Sequence, residues 1–354
     1  MLQKIFTGKR IKNFLQWVLA AFIAFCVANL LILPYWQAPG WIYRNSGATS
    51  AIYHSGTTLV NGYEGYGTSQ VDDHGYLNPD LPLADSYILA LGCSHTKAIE
   101  VPAAKRYTSI LNEALSQGDF SKLYVYNLAI DGFYYTDIVK GFDAALAEFP
   151  GSDSIIIEIP STDLDLTGLT DSLNSRPFDA AMTGETLYTS QSTKDKLKIA
   201  VKEYLPLLSL YLSKQFVNGG AEKTPFFYTP ATNVTAGYGV SKEAYLLALE
   251  PTMAHLREVY DKEIIIYYHP FVTINEDGTM SVDDTVTAQW FAQCCEKYDI
   301  TFINAGNTFL EKYQNQAIVP YGFSNTSLGT GHLNKEGHRI SASLLYDALT
   351  GEDL

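Results

Sequence analysis

The chain of 354 residues is poor in sulfur and in basic side chains: it has 4 Cys and 4 Met, and 24 Lys and Arg stand against 38 Asp and Glu. The formal charge of -14 repels phosphate backbones and acidic membrane surfaces, which excludes nucleic acid as a partner. Of the four cysteines, Cys26 lies in an apolar N-terminal stretch and Cys294 and Cys295 are adjacent, so there is no disulfide framework. Adjacent thiols converge poorly on one ion, and His54, His74, His95, His255 and His269 lack ligand spacing, so no metal is expected. No glycine-rich phosphate loop follows any apolar run, which removes the usual nucleotide cradle, and no cofactor is expected. Internal repeats and low-complexity tracts are missing too.

One long hydrophobic run is present. Phe14 to Leu33 reads FLQWVLAAFIAFCVANLLIL, the roughly 20 apolar residues that a helix needs to cross a bilayer. Lys4, Lys9, Arg10 and Lys12 precede it, and no acidic residue occurs before Glu64. Positive-inside logic predicts a cytoplasmic tail over 1–13, an uncleaved signal-anchor helix over 14–35, and a main domain outside the cell membrane. An A-x-A-like cleavage site is not found. Tyr35, Trp36, Trp41 and Tyr43 suit the outer interface.

Residues 36–85, rich in Gly, Ser, Thr, Asn and Tyr, read as a juxtamembrane stalk and irregular cap in which function is not expected to begin. From 86 to 354 short apolar runs alternate with helical patterns. The runs are SYILALG (86–92), KLYVYNLAI (122–130), DSIIIEIP (153–160), EIIIYYHP (263–270) and TFINAG (301–306). Helices are predicted over 104–116, 135–148, 241–261, 282–297 and 334–349. This alternation predicts a three-layer α/β/α sandwich around a five-stranded parallel sheet. An insertion spans 164–240, and its apolar stretch YLPLLSLYL (204–212) is too short to span a bilayer, so it reads as a helix buried under a lid.

Open α/β sheets bind ligands beyond the carboxyl ends of their strands. There the first run ends Gly92-Cys93-Ser94-His95-Thr96, and the second leads to Asp131-Gly132. The third leads to Ser161-Thr162-Asp163, and Gly331-His332-Leu333-Asn334-Lys335-Glu336-Gly337-His338 precedes the last helix. This set, in this order, resembles the SGNH (GDSL-like) hydrolases and acyltransferases over roughly residues 71 to 350. The approach DDHGYLNPDLPLADSYILALGCSHT is similar to membrane-anchored, cell-surface members that act on extracellular polysaccharides.

The resemblance implies a flavodoxin-like sheet, with Ser94 as nucleophile and His332 as the base that moves its proton. It implies an oxyanion hole from Ser94, Gly132 and the third-block position, where the usual Asn is replaced by Thr162. Asp163 matches the acid that follows, although turn capping is an equal role for it. The acid usually found three residues before the histidine is absent, because position 329 is Gly. His332 is then oriented by a backbone carbonyl or by a side chain such as Asn325, as a Ser–His dyad, or the site is weak. His269, at a strand end, either lines the pocket or sits satisfied in the core. His338 reads as a packing or solvent-facing residue of the last helix, and Tyr134 and Tyr135 are candidates to stack on a sugar.

The function implied is an extracytoplasmic esterase or O-acyltransferase, for O-acetyl groups, acting on a cell-envelope or secreted polysaccharide. A multi-pass acyl-supplying membrane protein is implied as partner by the resemblance alone. The competing expectation is a non-catalytic glycan-binding or assembly factor that keeps the fold, motivated by the missing acid and the altered donor.

Overall fold

The computed structural model describes residues 8–29, 42–44, 51–53, 58–62, 64–78, 86–117, 123–173, 193–194, 197, 240–283 and 285–354. In chain order the strands are β1 (Ile42–Arg44), β2 (Ala51–Tyr53), β3 (Thr58–Asn61), β4 (Gly67–Gln70), β5 (Ser86–Leu91), β6 (Leu123–Asn127), β7 (Ser154–Ile159), β8 (Glu263–Tyr268), β9 (Val272–Ile274), β10 (Met280–Val282) and β11 (Thr301–Asn304). The helices are α1 (Gly8–Val27), α2 (Ser94–Lys97), α3 (Tyr107–Leu115), α4 (Tyr135–Glu148), α5 (Leu166–Ser172), α6 (Lys242–Val259), α7 (Val286–Lys297), α8 (Gly306–Gln316) and α9 (Lys335–Thr350).

The five apolar runs form one parallel sheet in the order β11-β8-β7-β5-β6. Counted along the chain this is the flavodoxin-like order, with the switch point between β5 and β7. Alternation within the strands divides the core in two. Tyr87, Leu89, Leu91, Ile155, Ile157, Ile159, Ile264 and Ile266 face one cluster with α4, α6 and α7. Ile88, Ala90, Ile156, Ile265 and Tyr267 face the other, with α3, α8 and α9. The strands β5, β6, β7 and β8 are buried on both faces, which is why their runs are so apolar, whereas the edge strand β11 is only half-buried.

Three features differ from the sequence expectation. Helix α8 and the β9–β10 hairpin lie outside the helices and strands read from the sequence. The cap is not a passive stalk: the β3–β4 hairpin packs on the domain, with Gly67 pressed against the backbone of Ile99 and Val101. Buried Arg106 fastens this cap by donating to the carbonyls of Leu77 and Ala98 and to the Ser69 hydroxyl.

The third concerns the N-terminus. Helix α1 exposes Phe14, Leu15, Trp17, Val18, Leu19, Phe22 and Ile23. Yet no helix among the described residues is long and apolar enough to cross a membrane. The transmembrane helix expected over 14–35 is thus not seen among the described residues, and 30–35 of that span lie outside them. So does YLPLLSLYL, with nearly all of 174–239.

Candidate active site

Strand β5 ends at Leu91, and a one-turn helix starts at Ser94 and stops at Ala98, whose backbone is left-handed. The turn between them is held from below by Glu158, buried on the central strand β7. Its Oε2 accepts the Cys93 N–H at 2.9 Å and the Thr96 hydroxyl at 2.8 Å, bracketing Ser94 on both sides. Gly92 makes this approach possible, since a Cβ there would lie 2.5 Å from both Glu158 Oε2 and Thr96 Oγ1. The other carboxylate oxygen accepts from His269 Nε2 at 2.6 Å and from the Cys93 thiol at 3.4 Å. Burial alone would raise Glu158, but His269 and these donors hold it below the ordinary glutamate value. Cys93 is thus tied downward, its thiol pushed well up by burial. His269, fully buried and bonded also to Tyr321, is a core residue rather than a pocket wall.

His332 arrives on the loop between α8 and α9. Asn334 caps α9 by accepting the N–H groups of Glu336 and Gly337. Gly322 N–H donates to the His332 carbonyl, and Leu333 N–H to His95 Nδ1. Held this way, the imidazole meets the serine: the Ser94 hydroxyl donates to His332 Nε2 at 2.8 Å, across 238 residues of chain.

The acid comes from the cap. Glu64, in the turn between β3 and β4, accepts from His332 Nδ1 at 2.7 Å through Oε2 and from the His332 N–H at 2.7 Å through Oε1. Burial would raise this carboxyl, but the bonds and charge of His332 hold it below the ordinary glutamate value. For His332, burial pulls its pKa down, but the carboxylates of Glu100 and Glu64 raise it to about 9. Asn325, expected as a direct partner of the imidazole, grips this turn instead. Its Oδ1 accepts the Gly65 N–H at 2.9 Å, and its Nδ2 donates to the carbonyls of Gly65 and Gly62. No local motif marks Glu64, because it lies 268 residues before the histidine it serves. Its one legible signal is that it is the first acidic residue of the chain.

The remaining expected residues separate. Ile130 N–H donates to the Gly92 carbonyl, so two residues beyond that bond the chains reach Gly132 and Ser94. Gly132 is exposed with φ +75 and open space around its would-be Cβ. The turn before it is pinned by Asp131, which pairs with buried Lys97 of α2.

Thr162 does not fill the third donor position as expected. The Thr287 hydroxyl donates to Asp163 at 2.7 Å, so the contact between Thr162 and Thr287 at 3.0 Å uses the single proton of Thr162. Asp163 serves this threonine group rather than the serine. His338 is buried beside Tyr107 and does not face solvent. Tyr135 is buried and bonded to Thr252, so it is not the expected sugar platform, while Tyr134 stands half-buried at the start of α4. Among the described residues no group of three or more His, Cys, Asp or Glu side chains could hold a metal ion.

Fold and site together define a flavodoxin-like α/β protein with a serine, histidine and glutamate in one hydrogen-bonded chain at the carboxyl edge of the sheet. No family model matches the sequence, and no curated protein does. Solved structures are similar at low identity. LAE5, an alpha/beta hydrolase enzyme from the metagenome of Lake Arreo, is 15% identical, with 76% of this chain and 96% of that one covered at a TM-score of 0.41. The acetyl xylan esterase AlAXEase is 12% identical, with 74% and 99% covered at 0.42. The esterase EstA from Pseudoalteromonas sp. is 12% identical, with 75% and 97% covered at 0.37. At this distance the functional argument rests on the residues themselves.

Proposed function

We propose that the protein is a serine esterase or O-acyltransferase that works on O-acetyl groups of a cell-envelope or secreted polysaccharide. The observation that carries this reading is the hydrogen-bonded chain from Ser94 through His332 to Glu64. Ser94 Oγ attacks the acyl carbonyl while its proton passes to His332 Nε2, and Glu64 stabilises the imidazolium that forms. The carbonyl oxygen becomes an oxyanion, and two backbone donors serve it. One is the N–H of Ser94, which opens a helix and so has no acceptor within it; the other is the N–H of Gly132. His332 returns the proton to the departing alcohol. Water or a sugar hydroxyl then takes the acyl group from Ser94, and the two outcomes differ only in the acceptor.

The glycan part of the proposal is supported by the resemblance of the DDHGYLNPD approach to cell-surface members. It is also supported by Tyr66, two residues from Glu64 and 60% exposed, whose ring is free to stack on a sugar face. The extracytoplasmic, membrane-tethered location belongs to the same proposal. It is supported by the one-sided basic flank and the apolar surface that α1 exposes. An acyl-supplying membrane partner follows from the resemblance alone. The alternative of a non-catalytic binding factor loses its main motive, since Glu64 supplies an acid where none was legible.

A fluorophosphonate probe tests the chemistry. A covalent adduct on Ser94, lost in Ser94→Ala together with hydrolysis of p-nitrophenyl acetate, is the expected result. Absence of both adduct and hydrolysis in the native protein overturns it. Protease treatment of intact cells tests the location, because protection of the main domain alongside a cytoplasmic marker contradicts the outward placement.

A further inference from the structure

The mechanism above uses one of two carboxyl groups beside His332. Glu100 lies just past α2, the short helix that Ser94 opens, and its Oε1 is 3.8 Å from His332 Nδ1, the nitrogen that donates to Glu64. Its Oε2 is buried with no hydrogen-bond partner among the described residues. A buried oxygen left unpaired carries a desolvation cost, and packing alone does not offset it. We propose that Glu100 is a second carboxylate of His332, a positioning residue that shares the imidazolium with Glu64 and takes its place when Glu64 is removed. This assignment rests on reading His332 as the base.

Two acids flanking one imidazole divide their protons unequally. Glu64 is held low by its direct bonds to His332, whereas Glu100 is raised, first by burial and further by Asp131, against the pull of His332 and Lys97. The neighbours from each adjoining element act on the same balance. Asp131, in the turn after β6, raises His332, and Lys97 of α2 pairs with Asp131. Burial lowers Arg106, before α3, to about 10, against the opposing pull of Glu100. His95 of α2, its ring centre 5.0 Å from that of His332, is kept neutral by burial. Without the charge of Glu100, His332 faces one anion and releases its own proton more readily, the state in which it can accept from Ser94. Once ionised, Glu100 holds the imidazolium in place.

The pH dependence of kcat/KM for p-nitrophenyl acetate, in the full chain and in Glu100→Gln, Glu64→Gln and the double variant, tests the assignment. In Glu100→Gln the acid limb moves to lower pH, and activity along it rises about tenfold. Glu64→Gln alone loses about 10- to 100-fold. The double variant loses about 10,000-fold, the scale seen when the only acid of a triad is neutralised. An unmoved acid limb, with Glu100→Gln changing activity by the same factor in both backgrounds, overturns the assignment. An active Ser94→Ala overturns the reading of the site beneath it instead. Should Glu100→Gln fail to fold, ring 15N shifts of His332 in the native protein decide. Two coupled inflections are expected, and one simple inflection sinks the proposal.

Discussion

Glu64 and His332 are joined twice, once through the backbone and once through the ring: Oε1 accepts the His332 N–H and Oε2 accepts Nδ1–H, each at 2.7 Å. The ring hydrogen bond fixes the proton on Nδ1 and leaves Nε2 bare toward Ser94, while the backbone one holds the loop in place. One carboxylate therefore sets both the tautomer and the place of the base, and it sits on a hairpin outside the sheet domain.

That contact depends on Gly331. Its φ is +77, and a Cβ on it would lie 2.0 Å from Glu64 Oε1. Gly331→Ala is expected to push the carboxylate off His332 and to strain the loop by about 1–3 kcal/mol. Denaturant midpoints should fall and kcat should drop well beyond the loss of stability. Wild-type kcat with a shifted midpoint would show that the contact does not matter to turnover.

Asn325 acts on the same contact from further away. Asn325→Ala removes the grip on Gly62 and Gly65, at about 1 kcal/mol for each hydrogen bond lost. Hydrolysis is expected to slow while the rate of Ser94 phosphonylation falls in parallel. A dyad oriented by Asn325 itself would instead lose activity while Glu64→Gln left it untouched.

The pH response follows from the shifts and their signs. His332 must be neutral to act as base, so the acid limb of kcat/KM is expected to extend toward about 9 rather than 6.5. Because the folded value lies above the unfolded one, His332 contributes stability that is full below about 6.5 and is lost as pH rises through about 9. Glu64, held low, contributes stability present above its ordinary value and lost as pH falls through its lowered one. Thermal melts over both ranges, compared with His332→Gln, check the window. A melting profile that is the same for both proteins would remove the linkage.

Thr162 separates the family pattern from the structure. An oxyanion donor lost from the third position costs about 100- to 1,000-fold in rate. Because the Thr162 proton goes to Thr287, Thr162→Val is expected to cost only about 1 kcal/mol of stability and less than about tenfold in kcat. A fall in kcat on the hundredfold scale, with KM unchanged, would put the hydroxyl back in the oxyanion hole.

Glu158 tests the floor of the site. Removing one partner of a buried pair typically costs about 3–5 kcal/mol, and Glu158→Ala also strips acceptors from Cys93 N–H and Thr96. The expected result is a strongly lowered melting temperature, measured by calorimetry. A melting temperature close to that of the native protein would deny the pair its structural role.

The β-branched and aromatic runs and the helical stretches between them determined a five-stranded parallel sheet with helices on both sides, since burial on two faces writes itself into contiguous sequence. They also determined that Ser94 follows the first strand and that His332 precedes the last helix, so the meeting of these two at one edge was legible. The partner of the imidazole was not. Glu64, Glu100 and Glu158 are single acidic residues whose meaning depends on which backbone folds over which, and no periodicity records that. Gly329 correctly announced that the local acid was missing. Only the docking of the β3–β4 hairpin against Ile99 and Val101 decided what replaced it, because a carboxylate acts through a few ångströms of space and not through position along the chain.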